Sequence, residues 1–415
     1  MFRMKSWLAV LAVAMTVVGC GGAPDTDVEV FTWWANGSER AGLDALVTVF
    51  EEQHPGLTFV NGAVAGGAGS TARDVLNYRM GAGDPPDTFQ AHAGKELTDY
   101  ILGNRVQDLK GLYDENGWSS VFPEQLLQLL TVDGKIYSVP SNVHRANVVW
   151  GNADVLTRAG LDMESRPENL DDWFVQLDRI KAAGIVPLAI GKDWTQVHLL
   201  EVVLLARLGA NDYTGLFDGR TDWRSPAVAG AVADFARLMS YTNSDFQFLD
   251  WEAATQLVID GKAAYNVMGD WAEVVFREQD WRYDVDYIAF PVPGTADEFD
   301  FLADSFTLPV GARDEGGARA WLETVGSVEG QKAFNIAKGS IPARTDIGTD
   351  GFGPYQTTAI ASYMSDDIVP SLAHGAATPV RWLADITAAV RQFGTKQDVA
   401  ALTAALIAAA EQNRS

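Results

Sequence analysis

Residues 28–34 read Val28-Glu29-Val30-Phe31-Thr32-Trp33-Trp34, and Ala35-Asn36-Gly37-Ser38-Glu39 follow directly. Apolar residues then recur at Leu43, Leu46, Val47 and Phe50, before His54-Pro55-Gly56 and Leu57-Thr58-Phe59-Val60. The run 28–33 predicts a buried strand. Asn36-Gly37-Ser38 supplies a turn and a helix cap. The spacing of the four apolar residues is helical, and Pro55-Gly56 stops the helix. Residues 57–60 predict a second strand. Strand, helix and strand in so short a stretch point to an α/β fold, with helices packed on the faces of a sheet.

The same style continues along the chain. Ala65-Gly66-Gly67-Ala68-Gly69-Ser70 leads into a helix carrying Val75, Leu76 and Met80, and Gly83-Asp84-Pro85-Pro86-Asp87 breaks it. Further strands are expected at 88–91, 135–140, 145–150, 187–190, 263–268, 287–290 and 306–309. Helices are expected at 154–159, 170–183, 197–208, 226–239, 251–260, 318–325 and 328–337. The C-terminal segment 386–410 is Ala-rich and is expected to be helical. No low-complexity linker divides the chain. Two domains built from interleaved stretches are therefore expected, rather than domains in series.

Composition narrows the function. The chain has 415 residues, 47% of them hydrophobic, and a net charge of −24. That is ample material for full cores, and the acidic balance disfavours nucleic acid and other polyanions as partners. The single cysteine, Cys20, excludes internal disulfides and cysteine metal clusters. Arg3 and Lys5 precede an apolar run at 7–18, too short to span a bilayer. Val17-Val18-Gly19-Cys20 resembles a bacterial lipobox. Residues 1–19 then read as a lipoprotein signal peptide, Cys20 as the acylated residue and 20–25 as a tether. The mature body would sit outside the cytoplasm, held to the membrane by lipid.

Catalytic signatures are missing. The Gly-rich run at 65–70 lacks the Lys-Ser/Thr of a phosphate loop. The histidines His54, His92, His144, His198 and His374 form no metal-ligand motif, and no Gly-x-Ser-x-Gly occurs. No cofactor is implied. Paired carboxylates carry little information among 55 acids. What stands out is a set of polar and aromatic residues near strand ends, where open α/β sheets bind ligands. Trp33-Trp34 with Glu39, Gln90 and His92, Trp194, Asp270-Trp271, Asp304 and Lys338 belong to it. A sugar needs charged or amide partners for its hydroxyls and an indole for its apolar face.

These pieces resemble family 1 extracellular solute-binding proteins of ABC transporters, and more narrowly the glucose-binding subgroup. The matching segments are Trp33-Trp34 with Glu39, Ala63-Val64-Ala65-Gly66-Gly67, Asn142-Val143-His144-Arg145 and Met268-Gly269-Asp270-Trp271. They continue with Lys338-Gly339-Ser340-Ile341-Pro342-Ala343-Arg344-Thr345-Asp346 and Pro370-Ser371-Leu372-Ala373-His374. The resemblance implies a two-lobed periplasmic-binding-protein-like fold (type II) with the ligand in the cleft. Lobe one would take 26–145 and 303–345, and lobe two 146–302 and 346–415. It implies that Trp33 or Trp34 and Trp271 stack on or wall the sugar. Glu39, His92, Asp304, Lys338 and His374 would bind hydroxyls, with Trp194 and Asp270 as further contributors. Arg145 is either a ligand contact or a hinge-side ion pair, and Lys95 either points inward or lies on the surface. One departure is the missing acid after Ala65-Gly66-Gly67. The implied partners are a monosaccharide, glucose foremost, or a small oligosaccharide, and the transmembrane subunits of an ABC permease. A monomer is expected. A secreted glycoside hydrolase and a lipid-anchored adhesin stay open as alternatives.

Overall fold

A computed structural model describes residues 26–65, 69–164 and 166–413. Cys20 and the expected signal and tether lie outside the described residues. Among these residues, no helix is long and apolar enough to cross a membrane.

Two sheets organise the molecule. The first has five strands in the order Thr58–Asn61, Asp27–Phe31, Thr88–His92, Asp304–Thr307 and Ser138–Pro140. Its first three strands are parallel, and Asp304–Thr307 runs antiparallel between its neighbours. That register sets Asp304 opposite His92. A residue beginning one strand is thereby brought to the carboxyl edge of another. The second sheet has four strands, Tyr287–Pro291, Val148–Asn152, Ala263–Val267 and Val186–Ala189.

A small third sheet stands where the chain passes between the two. Its strands are Asp367–Pro370, Glu298–Leu302 and His144–Arg145. His144–Arg145 lies between a strand of the first sheet and a strand of the second, and Glu298–Leu302 leads from the second sheet back to the first. The fold is thus two-lobed α/β, and its crossing segments pair with one another.

The helices explain themselves through their buried faces. Helix Gly37–Gln53 buries Leu43, Leu46 and Phe50. Phe50 meets Trp321 edge-on at 5.4 Å. Burying one such side chain is worth about 1.5–3 kcal/mol. The same helix packs closely on Val328–Lys338. A Cβ at Gly42 would come within 2.8 Å of the Lys338 Cβ, so glycine is what admits that approach. The second lobe has its own apolar cluster, including Trp173, Leu200, Phe235 and Phe393.

Several expected elements differ in extent. The C-terminal helical segment is two helices, Val380–Lys396 and Val399–Asn413. Gln397 between them takes a left-handed φ of 56° and ends the first. The helix expected at 197–208 begins at Trp194 and continues to Asp218, with a break at Gly209 where φ is 71°. The strand expected at 135–140 is split between Lys135–Ile136, which pairs with Thr131–Val132 in a short hairpin, and Ser138–Pro140. The strand expected at 145–150 divides around residues 146 and 147, where the Asn147 side chain accepts from the Asp300 N–H. Helices Lys95–Leu102 and Pro354–Ser365 and strand Glu298–Leu302 had no sequence-based counterpart.

Candidate functional site

A cavity of about 240 Å³ lies between the two sheets. Trp33, Glu39, His92, Asp304 and Lys338 line it from the first lobe, and Trp194, Trp251, Trp271 and His374 from the second. His144 and Leu302 contribute from the crossing strands. The aromatic walls are continuous. Trp33 lies 4.8 Å from His92, Trp271 lies 5.1 Å from His374 and Trp194 5.6 Å from His374, all between ring centroids.

Lys338, at the end of its helix, connects the polar groups. Its Nζ donates to Asp304 Oδ2 at 3.0 Å and lies 2.5 Å from His144 Nε2. His144 Nδ1 faces Asp270, whose other oxygen accepts the Arg145 N–H at 3.0 Å. Asp304 is fully engaged: Gln90 Nε2 donates to Oδ1 at 2.9 Å and Asn142 Nδ2 to Oδ2 at 3.0 Å. His92 Nδ1 lies 2.9 Å from Glu96 Oε2, and Arg73 donates to that oxygen at 2.9 Å. Glu96 therefore turns His92 so that Nε2 faces Asp304 at 3.6 Å.

The charge states follow from these neighbours. Burial alone would raise the Asp304 carboxyl, but Lys338, His92 and His144 outweigh it and hold the group well below its ordinary range. Burial lowers His144, and nearby Lys338 adds to that against the pull of Asp270. Glu39 is partly exposed, on the first turn of its helix. Burial pushes its carboxyl up to about 8, Lys338 opposing the rise. The site thus offers an ionised carboxylate, an ammonium and neutral hydrogen-bonding groups around apolar ring faces.

Of the residues singled out in the sequence, Trp33, Glu39, His92, Trp194, Trp271, Asp304, Lys338 and His374 line the cavity. Trp34 does not. It is fully buried against Phe306 and Phe334, with Lys338 Nζ 5.0 Å from its ring. Gln90 and Asp270 stand behind the wall, orienting Asp304 and His144. Lys95 is exposed on the surface. Arg145 points toward the crossing sheet, where it donates to the Glu298 carbonyl at 2.8 Å and pairs with Asp366 at 3.3 Å. The sequence reading missed His144, Trp251, Asp250 and Glu252 in the lining. His144 sat inside a segment already singled out; nothing local marked the acidic helix start 250–252.

The sequence pattern described as bacterial extracellular solute-binding protein matches residues 34–332. An uncharacterized ABC transporter extracellular-binding protein of Pyrococcus horikoshii is 34% identical, over 95% of this chain and 93% of its own. The xylose/arabinose-binding protein XacG of Haloferax volcanii is 30% identical, over 94% of this chain and 86% of its own. Among solved structures, the bacterial solute receptor AcbH superposes with a TM-score of 0.83 at 16% identity, over 94% of this chain and 98% of that one. Two interleaved α/β lobes around a lined cleft, and a match along most of the chain, place it: the chain belongs to the bacterial extracellular solute-binding protein family.

Proposed function

We propose that the chain captures a neutral sugar outside the cytoplasm and delivers it to the transmembrane subunits of an ABC permease. The ligand in this reading is a monosaccharide, with glucose first among the candidates. The observation that carries it is the cavity itself: four indoles around about 240 Å³, with Glu39, His92, Asp304, Lys338 and His374 between them. Drug-sized ligands fill about 300–1,000 Å³, so the smaller space favours a single ring. XacG, a relative along most of the chain, carries a name that points to pentoses, which supports a monosaccharide.

Asp304 itself is not available for turnover. A glycosidase needs a carboxylate free to attack or to activate water. Both Asp304 oxygens are already occupied by Gln90, Asn142 and Lys338. In this reading the lobes are 26–145 with 303–345 and 146–302 with 346–415. They close by a hinge at the crossing strands when a ligand touches both. The body acts as a monomer, anchored through Cys20.

Titration calorimetry with D-glucose, D-galactose, D-xylose, L-arabinose and maltose tests this. The expected result is one sugar bound per chain, a monosaccharide tightest, and no product on prolonged incubation. Accumulating product would favour a hydrolase, and silence across all five sugars would overturn the sugar reading.

A further inference from the structure

We propose that Glu201, acting through the Ser371 hydroxyl, fixes His374 as a hydrogen-bond acceptor in the cavity wall, so that the site selects a ligand hydroxyl that donates there. The inference rests on the reading of the cavity as a sugar site.

The argument is a count of protons. Glu201 lies fully buried on helix Trp194–Asp218. It accepts the Ala373 N–H at 2.6 Å and the Ser371 hydroxyl, whose Oγ lies 3.0 and 3.1 Å from its two oxygens. A serine has one hydroxyl proton. With that proton directed at the carboxylate, Oγ presents only lone pairs to His374 Nδ1, 2.8 Å away. Nδ1 must therefore carry the imidazole proton. A neutral imidazole has one N–H, so Nε2 is a bare acceptor. His374 Nε2 is buried, has no partner among the described residues, and belongs to a side chain lining the cavity.

The surroundings keep His374 neutral. Burial holds its pKa well below the ordinary value, and His198, His92 and His144 add to this, Asp304 opposing. Asp300, on the crossing strand Glu298–Leu302, faces Glu201, as do His198 and Tyr213 from its own helix, while Arg145 lies near Asp300. Burial and Glu201 push the Asp300 carboxyl well above its usual range, which holds Asp300 toward its protonated form beside Glu201. Burial brings Glu201 up to about 7. Below that pH the carboxylate no longer claims the Ser371 proton, which is freed to turn toward His374. Acceptor character at Nε2 is then lost. The donors of His198, Glu201 and His374 come within 4.8 Å of one another, as metal ligands do. Here the Ser371 hydroxyl already bridges two of the three.

The test combines calorimetry between about pH 5 and 8 with ¹⁵N NMR of the imidazoles, assigned with His374→Gln. The sugar probe is the tightest binder of the five named above. Wild-type protein is expected to show an Nδ1-protonated His374 and an affinity that falls below about pH 7. Ser371→Ala should lose that signature and about tenfold in affinity. Ser371→Thr, which keeps the hydroxyl, should restore both. Glu201→Gln should flatten the pH profile. An Nε2-protonated His374 in the wild type overturns the proposal even if Ser371→Ala fails to fold. So does a Ser371→Ala protein with unchanged tautomer and affinity. If no sugar binds the wild type, the sugar reading fails, while the spectrum still decides the tautomer.

Discussion

Lys338 Nζ stands 3.0 Å from Asp304 Oδ2, and each side chain is only 3% exposed. Two buried charges are tolerated here because each also has hydrogen-bond partners: Gln90 and Asn142 for Asp304, His144 for Lys338. Removing one partner strands the other.

Asp304→Ala and Lys338→Ala are therefore expected to cost stability as well as binding. Breaking a buried pair from one side costs about 3–5 kcal/mol, and the loss of sugar affinity should be at least about tenfold, the loss of one charge-assisted hydrogen bond. The double variant Asp304→Asn/Lys338→Met should recover part of the stability and none of the affinity. Urea denaturation and calorimetry measure the two effects separately. Single variants that match the wild type in both would remove these residues from the site.

Trp271 rests on Gly269. A Cβ added at Gly269 would fall 2.1 Å from Trp271 Cζ3, far inside contact distance. The backbone there has φ −63°, which any residue adopts, so the clash with the ring is the whole effect. Gly269→Ala should push the indole from the wall and weaken sugar binding by about three- to tenfold, the worth of one aromatic contact. The fold should survive, since Trp271 is edge material of the core. Unchanged affinity in a folded variant would show that the indole wall does not set binding.

The α/β alternation was legible from residues 27–61 because strand and helix periods differ and the breakers between them are strong. The places of Trp33 and His92 at the cavity were legible because parallel strands end at one edge, and that of Asp304 because it begins an antiparallel strand at the same edge. Trp34 misled for a physical reason. It follows Trp33 directly beyond the end of the first strand, and the two side chains point to opposite sides, one to the cavity and one to Phe306. His144 and Glu201 were hidden because their roles depend on contacts with Lys338 and Ser371, 194 and 170 residues away in sequence. Asp270 looked like a ligand because a carboxylate beside a site tryptophan has the right chemistry. Burial shows that it serves His144 instead.

The lipobox reading makes a cellular prediction. With one cysteine in the chain, acylation has a single address. Cys20→Ser should move the protein from the membrane fraction to the soluble extracytoplasmic fraction, with sugar affinity unaltered, because the cavity is built from residues 33–374. Fractionation of expressing cells reads this directly. Retention of the variant on membranes would refute attachment through Cys20.

Acid sensitivity should come from His198. It has no exposed surface, donates Nε2–H to the Ala146 carbonyl at 2.9 Å, and leaves Nδ1 without a partner among the described residues. Burial lowers its pKa from 6.5 to about 4. Between those values the unfolded chain binds a proton that the folded chain refuses. Stability then rises with pH across this window, and is lost as pH falls through it by up to about 3 kcal/mol, at ~1.4 kcal/mol per pH unit. Asp304 acts in the same sense further down: its contribution is present above its unfolded value near 3.8 and disappears as pH drops toward its depressed folded value. Glu39 works the other way. Raised from 4.5 to about 8, it binds its proton more tightly when folded, so its share of stability declines as pH rises between the two. Together these groups predict a stability maximum on the acid side of neutrality, between about pH 4.5 and 6.5, where the His198 gain and the Glu39 loss offset each other. His198→Gln can still donate to Ala146 but cannot titrate. Its urea midpoint should fall less steeply than the wild type's below about pH 6.5, the histidine's ordinary value. Parallel curves for the two proteins would assign the acid sensitivity elsewhere.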